Sequence, residues 1–175
     1  MPKKTLETLF TEERIQQRVQ DLGELITQDY RGKELTILII LKGGFLFGAD
    51  LCRAITIPTY IEFLGVSSYG HEEKSTGIVQ ITQDLKYSIA GQDVLIVEDI
   101  VDTGRTMAYL LANLKTRKPR SIQACTLLNK ESKRCVDGLE LAYTGFEIED
   151  HFVIGYGLDD KGQDRNLPYI GYYPS

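Results

Sequence analysis

Apolar residues recur at helical spacing from Thr11 onward, at Ile15, Val19, Leu22 and Ile26, which predicts an amphipathic helix capped by Thr11 and able to end at Gly32. Residues 35–41 form a strand-sized apolar run, followed by Lys42-Gly43-Gly44 and a second helical segment reaching about Ile55. Pro58 opens the run TYIEFLGV, and IVQIT at 78–82 is a second β-rich run; the polar, glycine-bearing SSYGHEEKSTG between them predicts a long mobile loop joining two strands. Residues 93–97 are again apolar. They lead through Glu98-Asp99 into a glycine turn and then Met107, Leu110, Leu111 and Leu114 at helical spacing, closing before Pro119, with a further strand at 122–128. Strands that are apolar on both faces and alternate with helices predict an α/β fold: a mainly parallel sheet flanked by helices, whose ligands bind beyond the strands' carboxyl ends. The stretch after Phe152, rich in Gly and Tyr, is expected to cap that sheet.

Length adds that one domain over residues 1–175 can bury a continuous core without disulfides or structural metal. Cys52, Cys125 and Cys135 form no C-x-x-C pair, and their odd number argues against a disulfide framework. MPKKTLETLF at the start holds no apolar core of a secretory signal, and no run approaches the length of a membrane span, so a cytoplasmic protein without a membrane partner is expected. A formal charge of −5 disfavours nucleic acid as a partner, since broad contact with it needs a basic footprint. An anionic small ligand must then be held by local donors and a metal ion rather than by the overall field.

Residues 94–107, VLIVEDIVDTGRTM, carry the chemistry. A buried strand delivers two adjacent acids, then a third, then a small-residue turn that opens a helix. The turn brings free backbone N–H groups, a helix N-terminus and the hydroxyls of Thr103 and Thr106 around one spot, which is a cradle for a phosphate. Glu98 and Asp99 beside it offer acceptors for a pair of sugar hydroxyls or for a hard divalent cation. Phosphate and diol together describe a ribose 5-phosphate. Receivers of response regulators also place an acidic pair after a strand and bind magnesium, but their pair follows the first strand, whereas this one follows residue 93 and continues into DTGRT.

This stretch resembles the phosphoribosyl pyrophosphate signature of type I phosphoribosyltransferases, and in particular their hypoxanthine-guanine branch. LKGG at 41–44, SSYG at 67–70, the lysine of LLNK at 127–130, and FVIGYGLD running to RNLPYIG between 152 and 171 match that branch in the same order. A match of several segments in fixed order is more specific than any single motif. The resemblance implies the type I phosphoribosyltransferase fold, with a small hood formed by the terminal segments, and purine salvage: transfer of the phosphoribosyl group to hypoxanthine or guanine, with Mg2+ as cofactor, in a homodimer or homotetramer.

It also implies residue roles. Glu98 and Asp99 would hold the ribose hydroxyls directly or through magnesium, and Asp102, Thr103, Gly104, Arg105 and Thr106 would complete the ribose-phosphate site. Asp102 would approach the purine N7 as general base, a role that suits a carboxylate beside a proton made more acidic as N9 attacks. Lys42 and Gly43 would bind pyrophosphate, next to a non-proline cis peptide, and Arg165 would clamp it with paired donors. Lys130 would donate to the purine O6 and so reject adenine. Phe152 would stack on the base, the backbone of Val153 and Asp159 would face its 2-position, and the Asp159 side chain would lie near a second magnesium. Ser68 and Tyr69 would begin a lid that excludes water. Asp160 departs from the pattern, standing where relatives often carry an aromatic. A regulator that senses phosphoribosyl pyrophosphate to control transcription would use the same signature, yet nothing in the sequence adds a helix-turn-helix or a basic face. The same chemistry on xanthine is the other alternative.

Overall fold

The computed structural model describes residues 5–68 and 79–174. In chain order its elements are β1 (Glu7–Phe10), α1 (Glu12–Asp29), β2 (Leu35–Leu41), α2 (Phe45–Ala54), β3 (Thr59–Ser68), β4 (Val79–Gln83), β5 (Asp93–Val101), α3 (Arg105–Lys115), β6 (Ser121–Asn129), β7 (Tyr143–Glu147), β8 (Val153–Ile154) and β9 (Ile170–Tyr172). A six-stranded sheet runs β4-β3-β2-β5-β6-β7, and a three-stranded sheet runs β1-β9-β8. All pairs of the large sheet are parallel except β3 with β4, so the mainly parallel sheet expected from two-sided apolar strands is present.

Alternation along the strands divides the core into two layers. Leu35, Ile37, Ile39, Leu95, Val97, Cys125 and Leu127 face α1 and α2, meeting Ile15, Val19, Leu22, Ile26, Phe47 and Leu51. Leu38, Ile40, Val94, Ile96 and Ala124 face the other way, onto Met107, Leu110 and Leu114 of α3. The helical spacing read in α1 is therefore its buried stripe. Thr11 caps it as expected, its hydroxyl accepting from Arg14 N at 3.4 Å, and the helix closes at Tyr30, before Gly32. α1 also comes close to α2 at Gly23, where a Cβ would overlap Ala54.

The cap expected from the C-terminal stretch is the three-stranded sheet, and the N-terminal segment takes part in it. Glu7 pairs with Tyr172, and Val153 pairs with Tyr172 on the other side. Phe10 stacks on Phe146 of β7 with ring centroids 4.1 Å apart, and the Arg14 guanidinium covers both rings. These contacts fasten the hood to the edge of the large sheet.

The expected strand at 93–97 is longer than its apolar run. β5 pairs with β2 from Asp93 to Val97, but with β6 as far as Val101, opposite Asn129. The hydrogen bonds to β6 extend the strand through the acids, so Glu98 and Asp99 lie within it rather than at its very end. On the β2 side the pairing stops at Val97, and that free edge is where Lys42-Gly43-Gly44 leaves β2. The chain turns to β3 after β2 and to β6 after β5, so the sheet's order reverses between these two central strands. Their carboxyl ends form the crevice in which such sheets bind ligands.

The opposite end of β5 is pinned by charge. Asp93 is buried and accepts from Ser121 Oγ at 2.6 Å and Arg120 Nη1 at 3.0 Å. The Ser121 hydroxyl, with Arg120 helping, holds its carboxyl below the usual range. A depressed folded pKa contributes stability above the unfolded pKa, lost as pH falls through the folded value. We expect Asp93→Asn to cost about 1–2 kcal/mol near neutral pH. The difference should shrink as pH falls below the ordinary carboxylate range and the wild-type carboxyl takes up its proton; denaturant midpoints at neutral and at acid pH check this.

Candidate active site

α3 begins without a side-chain cap. Gly104 precedes it with φ 84° and offers no side-chain cap, while Arg105 N meets the Thr103 hydroxyl only at a long 3.5 Å. The left-handed backbone suits glycine, and a Cβ there would press on Arg134 Cδ at 2.8 Å and Leu139 Cδ2 at 2.9 Å. An uncapped helix start with no acid in its first turn is an open anion site. Asp102, Thr103, Gly104 and Thr106 line a cleft of about 200 Å3 here. Arg105 stands exposed on the first turn.

A second cleft, of about 250 Å3, is lined by Lys42, Gly43, Asp99, Asp159 and Arg165, and it shares Glu98, Ile100 and Thr106 with the first. Glu98 and Asp99 are only 7% and 9% exposed. Burial pushes both carboxyls upward, and the neighbouring Asp99 charge raises Glu98 further. Asp99 Oδ1 accepts from its neighbour Ile100 N at 2.9 Å. Gly43 lies so close to this acid that a Cβ on it would overlap the Asp99 carboxylate. The Leu41–Lys42 peptide is cis, as the resemblance led us to expect. Behind the loop, Gly44 N donates to Ile40 O at 3.0 Å and Phe45 N to Lys42 O at 3.3 Å.

The far wall of this cleft is a compact loop between β8 and β9. Arg165 Nη1 donates to Gly157 O at 2.6 Å while Gly157 N donates to Arg165 O at 2.9 Å. Arg165 Nη2 pairs with Asp159 Oδ1 at 2.6 Å, and Gly162 N donates to Asp159 Oδ2 at 2.6 Å. Both Asp159 oxygens are thus engaged. Gly157, at φ 98°, comes so close to the Lys42 turn that a Cβ on it would overlap Gly43 O, which fixes the distance between the two walls.

On the other side of Asp102 stands Lys130, only 6% exposed, its Nζ 3.7 Å from Asp102 Oδ2 and 3.4 Å from Asp150 Oδ1. Asp102 Oδ1 is shut off from solvent without a hydrogen-bond partner. A buried carboxylate oxygen left unpaired is costly unless something else uses it. Lys130 N donates to Val101 O at 2.9 Å and Cys135 N to Thr103 O at 3.0 Å, so the segment carrying the lysine also braces the phosphate-type loop. Phe152 is 61% exposed, an aromatic face left to solvent rather than packed as core, while Val153 beside it is buried in β8. Ser68 is the last residue of β3, and its backbone pairs with Val79. Tyr69 and the rest of the expected lid lie outside the described residues.

Of the residues singled out in the sequence, Lys42, Gly43, Glu98, Asp99, Asp102, Thr103, Gly104, Thr106, Asp159 and Arg165 line these two joined clefts and Lys130 stands beside Asp102, whereas Arg105, Phe152, Val153 and Ser68 line neither. Several neighbours were not singled out. Asp150 and Lys133 join Lys130 in one charged group, Lys133 Nζ lying 2.8 Å from Asp150 Oδ2. Arg134 underlies Gly104 and donates to Asn129 Oδ1 at 2.5 Å, and Asn129 in turn donates to both Glu147 oxygens at 2.9 Å. No spacing rule marks these contacts, because most of them join segments far apart along the chain.

The geometry is an acid pair and an open helix start at the switch point of a parallel sheet, and the chain belongs to the phosphoribosyltransferase family: the model of the phosphoribosyl transferase domain matches residues 5–161. Among its relatives, the hypoxanthine-guanine phosphoribosyltransferase of Mycobacterium tuberculosis is 49% identical over 169 residues, covering 93% of this chain and 83% of the relative. The hypoxanthine phosphoribosyltransferase of Salmonella typhimurium is 43% identical over 171 residues, covering 97% and 96%. A crystal structure of a hypoxanthine phosphoribosyltransferase from Staphylococcus aureus superposes with a TM-score of 0.91 at 46% identity, covering 96% of this chain and 91% of the other.

Proposed function

We propose that this chain is a purine-salvage enzyme that transfers the 5-phosphoribosyl group of phosphoribosyl pyrophosphate to N9 of hypoxanthine or guanine, giving inosine or guanosine monophosphate and pyrophosphate. The observation that carries this reading is the uncapped start of α3 directly beside the buried Glu98-Asp99 pair. The relatives named above supply the choice of base.

In this reading the 5-phosphate sits on the amides and hydroxyls of residues 103–106, and Glu98 and Asp99 grip the ribose hydroxyls. Lys42, the Gly43 backbone and Arg165 face the pyrophosphate. The bond between the anomeric carbon and the pyrophosphate oxygen breaks as N9 bonds to that carbon, and the proton on N7 passes to Asp102 Oδ1, the oxygen that has no other partner. Lys130 donates to O6, which adenine cannot accept because its amino group presents a donor there. Phe152 stacks on the base, the Val153 and Asp159 backbone meets its 2-position, and the lid beginning at Ser68 and Tyr69 keeps water from the anomeric centre.

Magnesium suits the donor set. Among the described residues no group of three or more acidic, His or Cys side chains could hold a metal, but magnesium characteristically uses one or two carboxylates together with substrate phosphates and water. Glu98 and Asp99 would supply those carboxylates, and Asp159 could contribute only by giving up its contacts with Arg165 and Gly162. The ion supplies positive charge against the leaving pyrophosphate. No described helix is long and apolar enough to cross a membrane. The acidic net charge fits an enzyme that acts on small molecules rather than on nucleic acid; a cytoplasmic location, a single domain and assembly as a homodimer or homotetramer are proposed on the family resemblance. Incubation of the purified chain with hypoxanthine or guanine, phosphoribosyl pyrophosphate and Mg2+ should yield the monophosphate. Its absence with both bases would overturn the reading.

A further inference from the structure

Lys130 does not stand alone beside Asp102. Its ammonium lies between two carboxylates, 3.7 Å from Asp102 Oδ2 and 3.4 Å from Asp150 Oδ1, and neither contact is close. Asp150 is held from its other side, where Lys133 Nζ approaches Oδ2 at 2.8 Å. The charged groups around this space are Glu98 from β5, Asp102 from the turn after it, Lys130 and Lys133 from the segment after β6, and Asp150 from the segment before β8. A buried ammonium moves toward whichever anion gives it the better hydrogen bond. With Asp150 absent, the remaining carboxylate partner within 4 Å is Asp102, the acid that must stay free to take a proton.

We propose that Asp150 is a positioning residue for the purine site, anchored by Lys133, which keeps the Lys130 ammonium off Asp102 so that one residue can donate to the base while the other accepts from it. This rests on the reading given under Proposed function and deepens it. Asp150 touches neither substrate in this role; it acts through Lys130. The two members of the anchor have distinct effects. Removing the Asp150 charge lets Lys130 close on Asp102, which weakens the base and withdraws the O6 donor together. Removing Lys133 frees Asp150 to take Lys130 more closely, which withdraws the donor but leaves Asp102 free.

The test compares steady-state kinetics of wild type, Asp150→Asn, Asp150→Glu and Lys133→Met with hypoxanthine at saturating phosphoribosyl pyrophosphate, and the reverse titration. Asp150→Asn should lower kcat about 10-fold and raise the hypoxanthine KM, with the KM for phosphoribosyl pyrophosphate unchanged. Lys133→Met should raise the hypoxanthine KM roughly 3-fold or more at unchanged kcat. Asp150→Glu, which keeps the charge, should stay within about 3-fold of wild type in both. Equal rises in both KM values, no change in Asp150→Asn, or failure of the glutamate to rescue it would overturn the proposal, provided thermal unfolding shows the variants folded. If Asp150→Asn does not fold, Lys133→Met and Asp150→Glu decide alone: unchanged hypoxanthine KM in the first or a large loss in the second overturns it. A wild-type chain that forms no nucleotide would overturn both this proposal and the reading beneath it, whereas an active wild type with unmoved variants overturns the role of Asp150 alone.

Discussion

Asp102→Asn is expected to lower turnover on hypoxanthine about 100-fold or more while leaving binding of phosphoribosyl pyrophosphate intact, because general-base assistance is worth roughly that much. The substitution keeps size and polarity but removes the negative charge that can accept a proton. Two features single out this acid among its neighbours. Its Oδ1 is closed to solvent and has no partner, whereas Asp150 is engaged by two lysines and Asp159 by Arg165 and Gly162. Its other oxygen stands 3.7 Å from Lys130, so donor and acceptor for one bound base lie side by side. Initial rates across pH, with saturating co-substrate, provide the measurement; unchanged turnover would remove Asp102 from the mechanism.

Gly43→Ala should be comparably severe, by a route that needs no change of charge. The added methyl would occupy the space of the Asp99 carboxylate, so either the Lys42 turn or the acid has to move. The turn cannot retreat freely, because Gly157 in the loop between β8 and β9 lies so close to Gly43 O that not even a Cβ would fit between them. Effects of about 1 Å on reacting groups cost on the order of 100-fold in rate. We therefore expect a loss of roughly that size in kcat/KM for phosphoribosyl pyrophosphate, with the circular dichroism spectrum retained. Full activity in the alanine variant would show that the turn does not need to lie against Asp99.

Much of this was readable where local chemistry fixes local structure. The α1 stripe, the β2 run and the passage from β5 through Asp102-Thr103-Gly104 into α3 all carry their signals within a few residues. What the sequence concealed depends on distant partners. Glu7–Phe10 is a strand because it pairs with β9 at the other end of the chain, and a four-residue strand has too little periodicity to declare itself. Glu98 and Asp99 read as the carboxyl end of an apolar strand, yet pairing with β6 carries the strand past them to Val101. The loop between β8 and β9 takes left-handed backbone at Tyr156, Lys161 and Asp164, positions where no glycine marks it.

The candidate site divides in the same way. Its acids and its helix start sit on one continuous stretch and were legible together. The pairing of Arg165 with Asp159, and the holding of Lys130 by Asp150 and Lys133, are set by how separate segments meet. In the sequence FEIEDHF, Asp150 resembles any solvated acid.

Calorimetric titration of phosphoribosyl pyrophosphate into the purified chain with Mg2+, at two temperatures so that a vanishing enthalpy cannot hide binding, tests the central claim most directly. Saturable binding near one molecule per chain, weakened in an Asp99→Ala variant, is the predicted result. Absence of binding at both temperatures would contradict the claim that the start of α3 and its adjoining acids form a ribose-phosphate site.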